Sequence, residues 1–126
     1  MEKCRFIWVV MAVILSGCTP QPPSGPEYSK ITPREAGDLM SGDAVILDVR
    51  TQEEYDEGHI ENAILLPDYE IGMKAEGLLT DKNQTILVYC RTGVRSERAS
   101  KALLSMGYTK VYDFGGIVDW TGDIVM

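Results

Sequence analysis

The sequence predicts an α/β fold with a central parallel sheet and helices on both faces. Short strand-like and helix-like segments alternate along residues 28–126, and the strand-like segments are mostly apolar. Strands that are buried on both faces of a parallel sheet have this composition. In such sheets the ligand lies at the carboxyl ends of the strands. We therefore expect a functional site where the predicted strands end.

Capping sequences mark where two of the predicted helices begin. Thr32 is followed three residues later by Glu35, with a proline at the first helical position, which predicts a helix to about residue 41. Thr51 and Glu54 form a second capping box, and Gly58 is placed to end that helix. Two further helices are predicted, over residues 70–79, where two glycines weaken the pattern, and over residues 96–106.

Four apolar segments predict the strands of the sheet, over residues 44–48, 63–66, 85–89 and 110–112. Asp48 and Cys90 therefore stand at the carboxyl ends of two different strands. The last strand is followed by Gly115, Gly116 and a short helical turn that carries Trp120. We expect Trp120 to lie in the core, with Gly116 allowing a close approach beneath it.

Composition and charge restrict the class of protein. A chain of 126 residues has room for one domain of ordinary size, and 44% hydrophobic and 25% charged residues are typical of a globular protein. The formal net charge is −7 and the pI is near 4.6. This balance argues against nucleic acid as a partner, because phosphate contacts need a face rich in lysine and arginine.

The first residues predict a lipoprotein signal peptide over residues 1–17. Lys3 and Arg5 precede ten apolar residues, and the sequence Leu15-Ser16-Gly17-Cys18 resembles the lipobox of bacterial lipoproteins. The alternative is an uncleaved membrane anchor, but ten apolar residues are too few to cross a bilayer, which needs about 20. We expect lipidated Cys18 and a proline-rich tether over residues 18–27, followed by a folded domain over residues 28–126.

This signal predicts a place in the cell envelope, anchored to a membrane by lipid. Thr19 follows the lipidated cysteine, which predicts the outer membrane, facing the periplasm, in a diderm bacterium. In a monoderm the protein would lie on the outer face of the cell membrane. Cys4 would leave with the signal and Cys18 would carry lipid, so Cys90 would be the one free thiol of the mature chain.

The loop that begins at Cys90 carries the main functional signal. It reads Cys90-Arg91-Thr92-Gly93-Val94-Arg95-Ser96 and joins a predicted strand to a predicted helix. Backbone N–H groups at a helix N-terminus bind anions, and here they would stabilise a thiolate. Cys90 is the candidate nucleophile, and the next five residues are the candidate substrate-binding loop.

The two arginines of this loop have alternative roles. Arg91 could bind an anionic donor or could be a solvated charge, and we favour binding. Arg95 could face the substrate or pair with Asp48 or with another nearby carboxylate. Because the chain has one histidine and one expected free thiol, we predict no metal site and no cofactor.

Three segments together resemble the rhodanese family of sulfurtransferases. They are Asp48-Val49-Arg50 with Glu54-Tyr55 and residues 58–63, the Cys90 loop, and Phe114-Gly115-Gly116 with Trp120. The resemblance covers residues 28–126 and implies the rhodanese-like fold. It also implies that a Cys90 persulfide carries a sulfane sulfur from a donor such as thiosulfate to cyanide, a small thiol or a thioredoxin-like protein. Asp48 and Arg50 would support the site, and His59 would be structural.

Two alternatives to this activity remain open. The rhodanese fold also occurs as a non-catalytic binding or sulfur-carrier module, but such domains usually lack the cysteine that this chain keeps. Phosphatases and arsenate reductases of the same fold have a longer loop. Four residues separate Cys90 from Arg95 here, which favours sulfur transfer over those two activities.

Overall fold

The computed structural model describes residues 26–126. The predicted signal peptide, the lipidation site Cys18 and most of the predicted tether lie outside the described residues. Within residues 26–126, no helix combines the length and the apolar character that crossing a bilayer requires.

The predicted parallel sheet is confirmed. Five strands pair in the order β1-β6-β5-β2-β4, and every pair is parallel. A second, two-stranded sheet pairs β3 with β7 in the antiparallel sense. The strands are β1 (Ser29–Lys30), β2 (Val45–Asp48), β3 (His59–Ile60), β4 (Ile64–Leu65), β5 (Thr85–Cys90), β6 (Lys110–Gly116) and β7 (Ile124–Val125).

Helices cover both faces of the sheet, as predicted. They are α1 (Pro33–Leu39), α2 (Gln52–Glu57), α3 (Ile71–Leu78) and α4 (Val94–Ser105). The side chains of β5 alternate between the two faces because strand residues point up and down in turn. Val88 and Cys90 pack with Leu103 of α4, whereas Leu87 and Tyr89 pack with Ala36 of α1.

Both predicted capping boxes are present. The Thr32 side chain accepts a hydrogen bond from the Glu35 amide, and the Glu35 carboxylate accepts one from the Thr32 amide. Thr51 and Glu54 make the same reciprocal pair at the start of α2. Gly58 ends α2 with φ of 151°, a value that favours glycine. Local sequence therefore fixes where both helices begin and where α2 ends.

Three strands are absent from the sequence prediction: β1, β3 and β7. Each has two residues, and each is defined by pairing with a strand distant in sequence. Strand β6 also extends four residues beyond its predicted end, because Gly116 pairs with Cys90 at the end of β5. Helix α4 begins at Val94, two residues before its predicted start, and a 3-10 turn over Asp68–Glu70 precedes α3.

The expected contact between Gly116 and Trp120 is wrong. A Cβ atom on Gly116 would lie 2.1 Å from the Arg91 carbonyl oxygen, so Gly116 makes its close approach to the Cys90 loop. The Trp120 ring instead lies against Gly37 and Gly122. Trp120 is half-buried at the edge of the core, with its ring 5.8 Å from that of Phe114.

An ion pair between Asp48 and Arg50 is buried at the carboxyl end of β2. The Arg50 Nη2 atom donates to Asp48 Oδ2 at 2.7 Å and to the Gly58 carbonyl at 2.7 Å. The Tyr89 hydroxyl donates to Asp48 Oδ2 at 2.6 Å and accepts from the Ile60 amide at 3.0 Å. Burial, together with the hydrogen bond to Asp48, raises the pKa of Tyr89, so this hydroxyl keeps its proton. The network therefore joins β2, β3 and β5.

Replacing Arg50 should strongly destabilise the fold. Arg50→Met leaves the Asp48 carboxylate buried without its cation, and we expect the free energy of unfolding to fall by about 3–5 kcal/mol. Urea unfolding at pH 7 measures this loss. Lys74→Met is the matched control, because Lys74 pairs with Glu70 on the exposed surface of α3 and should change stability by less than about 0.5 kcal/mol. Equal effects of the two variants would contradict the role of the buried pair.

Candidate active site

The Cys90 thiol lies at the carboxyl end of the central strand β5, as the sequence predicts. Its residue is 1% exposed, and its Sγ atom accepts a hydrogen bond from the Gly93 amide at 3.0 Å. Gly93 has φ of 108°, so the chain turns back and its N–H group points at the sulfur. The sulfur therefore has one backbone donor within the loop.

The N-terminus of α4 adds further donors to this loop. The first intrahelical hydrogen bond runs from the Glu97 amide to the Gly93 carbonyl at 3.2 Å. The amides of Val94, Arg95 and Ser96 precede that bond and stand outside the helical ladder, at the positive end of the helix dipole. These N–H groups are already fixed at the start of the helix, so binding an anion there requires no rearrangement of the backbone.

The end of β6 forms the wall behind the loop. The Gly116 backbone lies so close to the Arg91 carbonyl that any side chain there would overlap it. A Cβ atom on Gly93 would lie 3.6 Å from Gly115 Cα. The Val118 amide donates to the Arg91 carbonyl at 3.4 Å. Glycine at these positions therefore sets how tightly the loop can close.

The side chains of the loop divide into exposed and buried groups. Arg91, Thr92 and Val94 are exposed, Gly93 and Arg95 are half-buried, and Ser96 is buried. Arg91, Thr92 and Val94 form the exposed side of the loop, which we call its mouth. That Arg91, Thr92, Gly93, Val94 and Arg95 contact a substrate stays a prediction.

Arg95 pairs with Glu54, which is one of the alternatives that the sequence leaves open. Its Nη1 and Nη2 atoms donate to the two Glu54 carboxylate oxygens at 2.7 and 2.9 Å. Asp48, the other named partner, is taken by Arg50. The hydrogen bonds from Arg95, with help from the Thr51 amide and against the effect of burial, lower the pKa of Glu54 to about 2. The pair ties the first turn of α4 to the first turn of α2.

Sequence reasoning missed a second buried carboxylate beside the loop, that of Asp113. Asp113 Oδ1 accepts hydrogen bonds from the Ser96 hydroxyl at 2.7 Å and from the Gly115 amide at 2.8 Å. The Tyr28 hydroxyl donates to Asp113 Oδ2. A charged residue inside the apolar run of β6 was the available signal, since such a group is buried only with partners.

His59 makes contacts that accord with its expected structural role. Its ring stacks on Tyr55 with centroids 3.7 Å apart, and its Nδ1 atom lies 2.9 Å from the Tyr55 carbonyl oxygen. Within residues 26–126, no group of histidine, cysteine, aspartate and glutamate side chains is arranged to hold a metal ion.

Comparison with known proteins places this geometry in a family context. A family model for the rhodanese-like domain matches residues 32–123. Thiosulfate sulfurtransferase PspE of Escherichia coli K12 is 40% identical over 73 residues, which cover 58% of this chain and 70% of that protein. The tRNA uridine(34) hydroxylase of Photorhabdus laumondii is 39% identical over 87 residues, and the chain spans only 25% of its length.

Two solved structures agree with the observed fold. A rhodanese with anions from E. coli matches with a TM-score of 0.62 and 36% identity, covering 65% of this chain and 96% of the other. A rhodanese-related protein from Thermoplasma volcanium matches with a TM-score of 0.70 and 29% identity, covering 78% and 98% of the two chains.

The pair between Glu54 and Arg95 should stabilise the protein in a pH-dependent way. The pKa of Glu54 is about 2 in the folded protein and 4.5 in an unperturbed chain. Because the folded value is the lower one, its stabilisation is present above pH 4.5 and is lost as the pH falls toward 2. We expect Glu54→Gln to lower the free energy of unfolding by about 1–3 kcal/mol at pH 7 and by much less near pH 2.

Urea unfolding of the wild type and of Glu54→Gln at pH 7, 4 and 2 tests this expectation. Glu53→Gln is the control, because Glu53 is an exposed neighbour in the same helical turn and no Arg95 contact is lost. A difference between wild type and Glu54→Gln that stays constant across this range would contradict the role of the ion pair.

Proposed function

The chain belongs to the rhodanese-like domain family, and on that premise we propose that it is a sulfurtransferase acting through a persulfide on Cys90. The observation that carries the proposal is the thiol itself, held against the Gly93 amide at the N-terminus of α4. The relationship to thiosulfate sulfurtransferase PspE supports thiosulfate as a donor.

The proposed reaction has two displacement steps. The Cys90 thiolate attacks the outer sulfur of thiosulfate, a new S–S bond forms on Sγ, and the S–S bond of the donor breaks with its electron pair leaving on sulfite. The acceptor, which is cyanide or an external thiolate, then attacks the terminal sulfur. The Cys90–sulfur bond breaks, thiocyanate or a new persulfide departs, and the Cys90 thiolate is restored. No net oxidation or reduction is required.

The loop supplies binding and charge stabilisation in this mechanism. The amides that precede the α4 ladder hold the negative terminal sulfur of the persulfide. Arg91 is exposed at the mouth of the loop and supplies the positive charge that a dianionic donor meets first. Arg95 acts indirectly, because its guanidinium is engaged by Glu54 and its contribution is to fix the start of α4. Asp48 and Arg50 hold the neighbouring loop.

The sulfur must leave to an acceptor outside the folded domain. Cys90 is the free cysteine of the described residues, so within them no second thiol can form a disulfide with it. We propose an external small thiol or a thioredoxin-like protein thiol as the acceptor. The persulfide should therefore persist when donor is supplied without acceptor.

Two other functions are weaker. If the protein were a non-catalytic binding or carrier module, the Cys90 thiol and its hydrogen bond from the Gly93 amide would have no role in turnover. Phosphate and arsenate chemistry needs a wider loop, and the contact between Gly116 and the Arg91 carbonyl leaves this loop no room to widen at that point. The hydroxylase activity in the name of the Photorhabdus relative concerns a protein four times longer than the matched segment.

Intact-mass analysis after incubation with thiosulfate tests the proposed activity. Wild-type protein should gain the mass of one sulfur atom, lose it on addition of cyanide, and show the sulfur on the peptide that contains Cys90. Cys90→Ser should gain nothing and should not turn over. Arg91→Ala should still be loaded, but at a higher thiosulfate concentration, because an attractive charge at the mouth is gone. Loading without turnover would favour the carrier module, and no loading at all would refute the proposal.

We also propose that the protein is a lipoprotein of the cell envelope, anchored through Cys18. The sequence Leu15-Ser16-Gly17-Cys18 after a short apolar segment supports this location. Two or three acyl chains would hold the protein stably, whereas a single chain binds only marginally.

Replacing Cys18 tests the lipid anchor. Cys18→Ser should abolish incorporation of labelled fatty acid and shift the protein from the membrane fraction to the soluble fraction or leave it unprocessed. Cys4→Ser is the matched control, since that cysteine precedes the predicted cleavage site and should change neither property. Unchanged labelling and fractionation of Cys18→Ser would contradict the lipobox.

A further inference from the structure

Among residues 26–126, the Asp113 carboxylate has no cationic hydrogen-bond partner. It is 0% exposed, and its partners among the described residues are three neutral donors: the Tyr28 hydroxyl, the Ser96 hydroxyl and the Gly115 amide. Losing one such donor leaves a buried charge less well solvated, so each bond restrains the group that makes it. The three donors come from the segment before β1, the first turn of α4 and the end of β6.

Two of these donors bear directly on the Cys90 loop. The Ser96 hydroxyl oxygen lies 3.1 Å from the Gly93 carbonyl oxygen, and Gly93 gives its own amide to the Cys90 sulfur. Gly115 lies against Gly93, because a Cβ atom on Gly93 would be 3.6 Å from Gly115 Cα. Because the single hydroxyl proton of Ser96 goes to Asp113, Ser96 touches Gly93 as a packing contact. Asp113 thereby positions Ser96 and Gly115 against Gly93 from two sides.

Tyr28 holds the other oxygen of Asp113. Burial and the hydrogen bond to Asp113 raise the pKa of Tyr28, so its hydroxyl remains a donor at any ordinary pH. The Lys101 ammonium lies 5.1 Å from the centre of the Tyr28 ring. The backbone of the same segment also reaches Asp113, since the Ile31 amide donates to the Asp113 carbonyl at 2.8 Å.

We propose that Tyr28 is a positioning residue for the Cys90 loop. Its hydroxyl orients the Asp113 carboxylate, Asp113 holds Ser96 and Gly115, and these two keep the Gly93 amide on the Cys90 sulfur. The segment through which the chain enters the fold is in this way part of the catalytic apparatus. Tyr28 precedes residue 32, where the match to the family model begins, so this function is assigned to a residue that the family pattern does not include.

The role of Tyr28 rests on the proposed sulfur transfer. It predicts that Tyr28→Phe changes kcat more than it changes the KM for thiosulfate. Tyr28→Phe removes one hydroxyl and leaves the ring in place. Because the Gly93 amide acts on sulfur charge that develops during the reaction, kcat for thiosulfate:cyanide transfer should fall roughly three- to tenfold. The thiosulfate KM should change less than about twofold, because Arg91 at the mouth is not part of the network.

Tyr108→Phe is the matched control in the full-length chain. The Tyr108 hydroxyl is buried and donates to the Leu79 carbonyl at 2.6 Å, whereas Tyr28 is half-buried. Tyr108 lies two residues before β6, at the end of the sheet away from the loop. Both substitutions remove one hydroxyl and should lower the unfolding midpoint. We expect only Tyr28→Phe to lower kcat.

Amide hydrogen exchange by NMR gives a readout that does not depend on sulfur transfer. In Tyr28→Phe, the amides of Gly93 and Gly115 should exchange roughly threefold faster or more, relative to the amides of β5. In Tyr108→Phe, they should exchange as in the wild type on the same relative scale. This measurement decides on Tyr28 even if the wild type transfers no sulfur, an outcome that would refute the proposed function alone.

Each result bears on the proposal in one direction. A kcat loss confined to Tyr28→Phe, with faster exchange at Gly93 and Gly115, supports it. Equal kcat in the two variants, or unchanged relative exchange of both glycine amides in Tyr28→Phe, overturns it. A rise in KM with constant kcat also overturns it, because that would place the effect of Tyr28 on donor binding.

Discussion

A buried carboxylate must find all its partners within the protein, and this requirement organises the carboxyl edge of the sheet. Asp48 and Asp113 are both fully buried there, one on each side of the central strand β5. Asp48 is satisfied by Arg50 and Tyr89, whereas Asp113 is satisfied by neutral donors. Each carboxylate is hydrogen-bonded to residues from segments that are distant in sequence. Moving the loops that surround Cys90 would cost free energy, because it would take partners away from a buried carboxylate.

The environment of the thiol depends on backbone more than on side chains. The net charge of the whole chain is negative, and among the described residues Glu54 pairs with Arg95. The positive groups near the loop are then Arg91, which is exposed, and Lys30, whose Nζ atom would lie 3.9 Å from a Cβ atom on Gly93. In the proposed reaction, the Gly93 amide and the amides at the start of α4 would stabilise the sulfur anions. The direction of each amide is set by the path of the backbone. Gly93 and Gly116, which have a left-handed conformation and no room for a side chain respectively, therefore determine the geometry of this site.

The same dependence on chain path accounts for the connection between the N-terminal segment and the loop. Strand β1 has two residues and pairs with β6, where Lys30 is opposite Asp113, and the next residue, Ile31, donates its amide to the Asp113 carbonyl. Tyr28 adds a side-chain bond to the same aspartate. The short edge strand therefore contacts the backbone of Asp113, and Tyr28, just before this strand, contacts the carboxylate.

Local chemistry let the sequence by itself determine much of this protein. The capping boxes at Thr32 and Thr51, the apolar β5 and the Cys90 loop depend on neighbours within a few residues, so they could be predicted, as could the parallel sheet and the family. The tertiary structure alone decided the partner of Arg95, the contact of Gly116 with Arg91, the pairing of β1, β3 and β7, and the bonds of Asp113. Apart from the bond of the Gly115 amide to Asp113, these contacts join residues between 17 and 85 positions apart. No local pattern encodes them, because the free energy of burying and pairing a polar group depends on which distant segments the fold brings beside it.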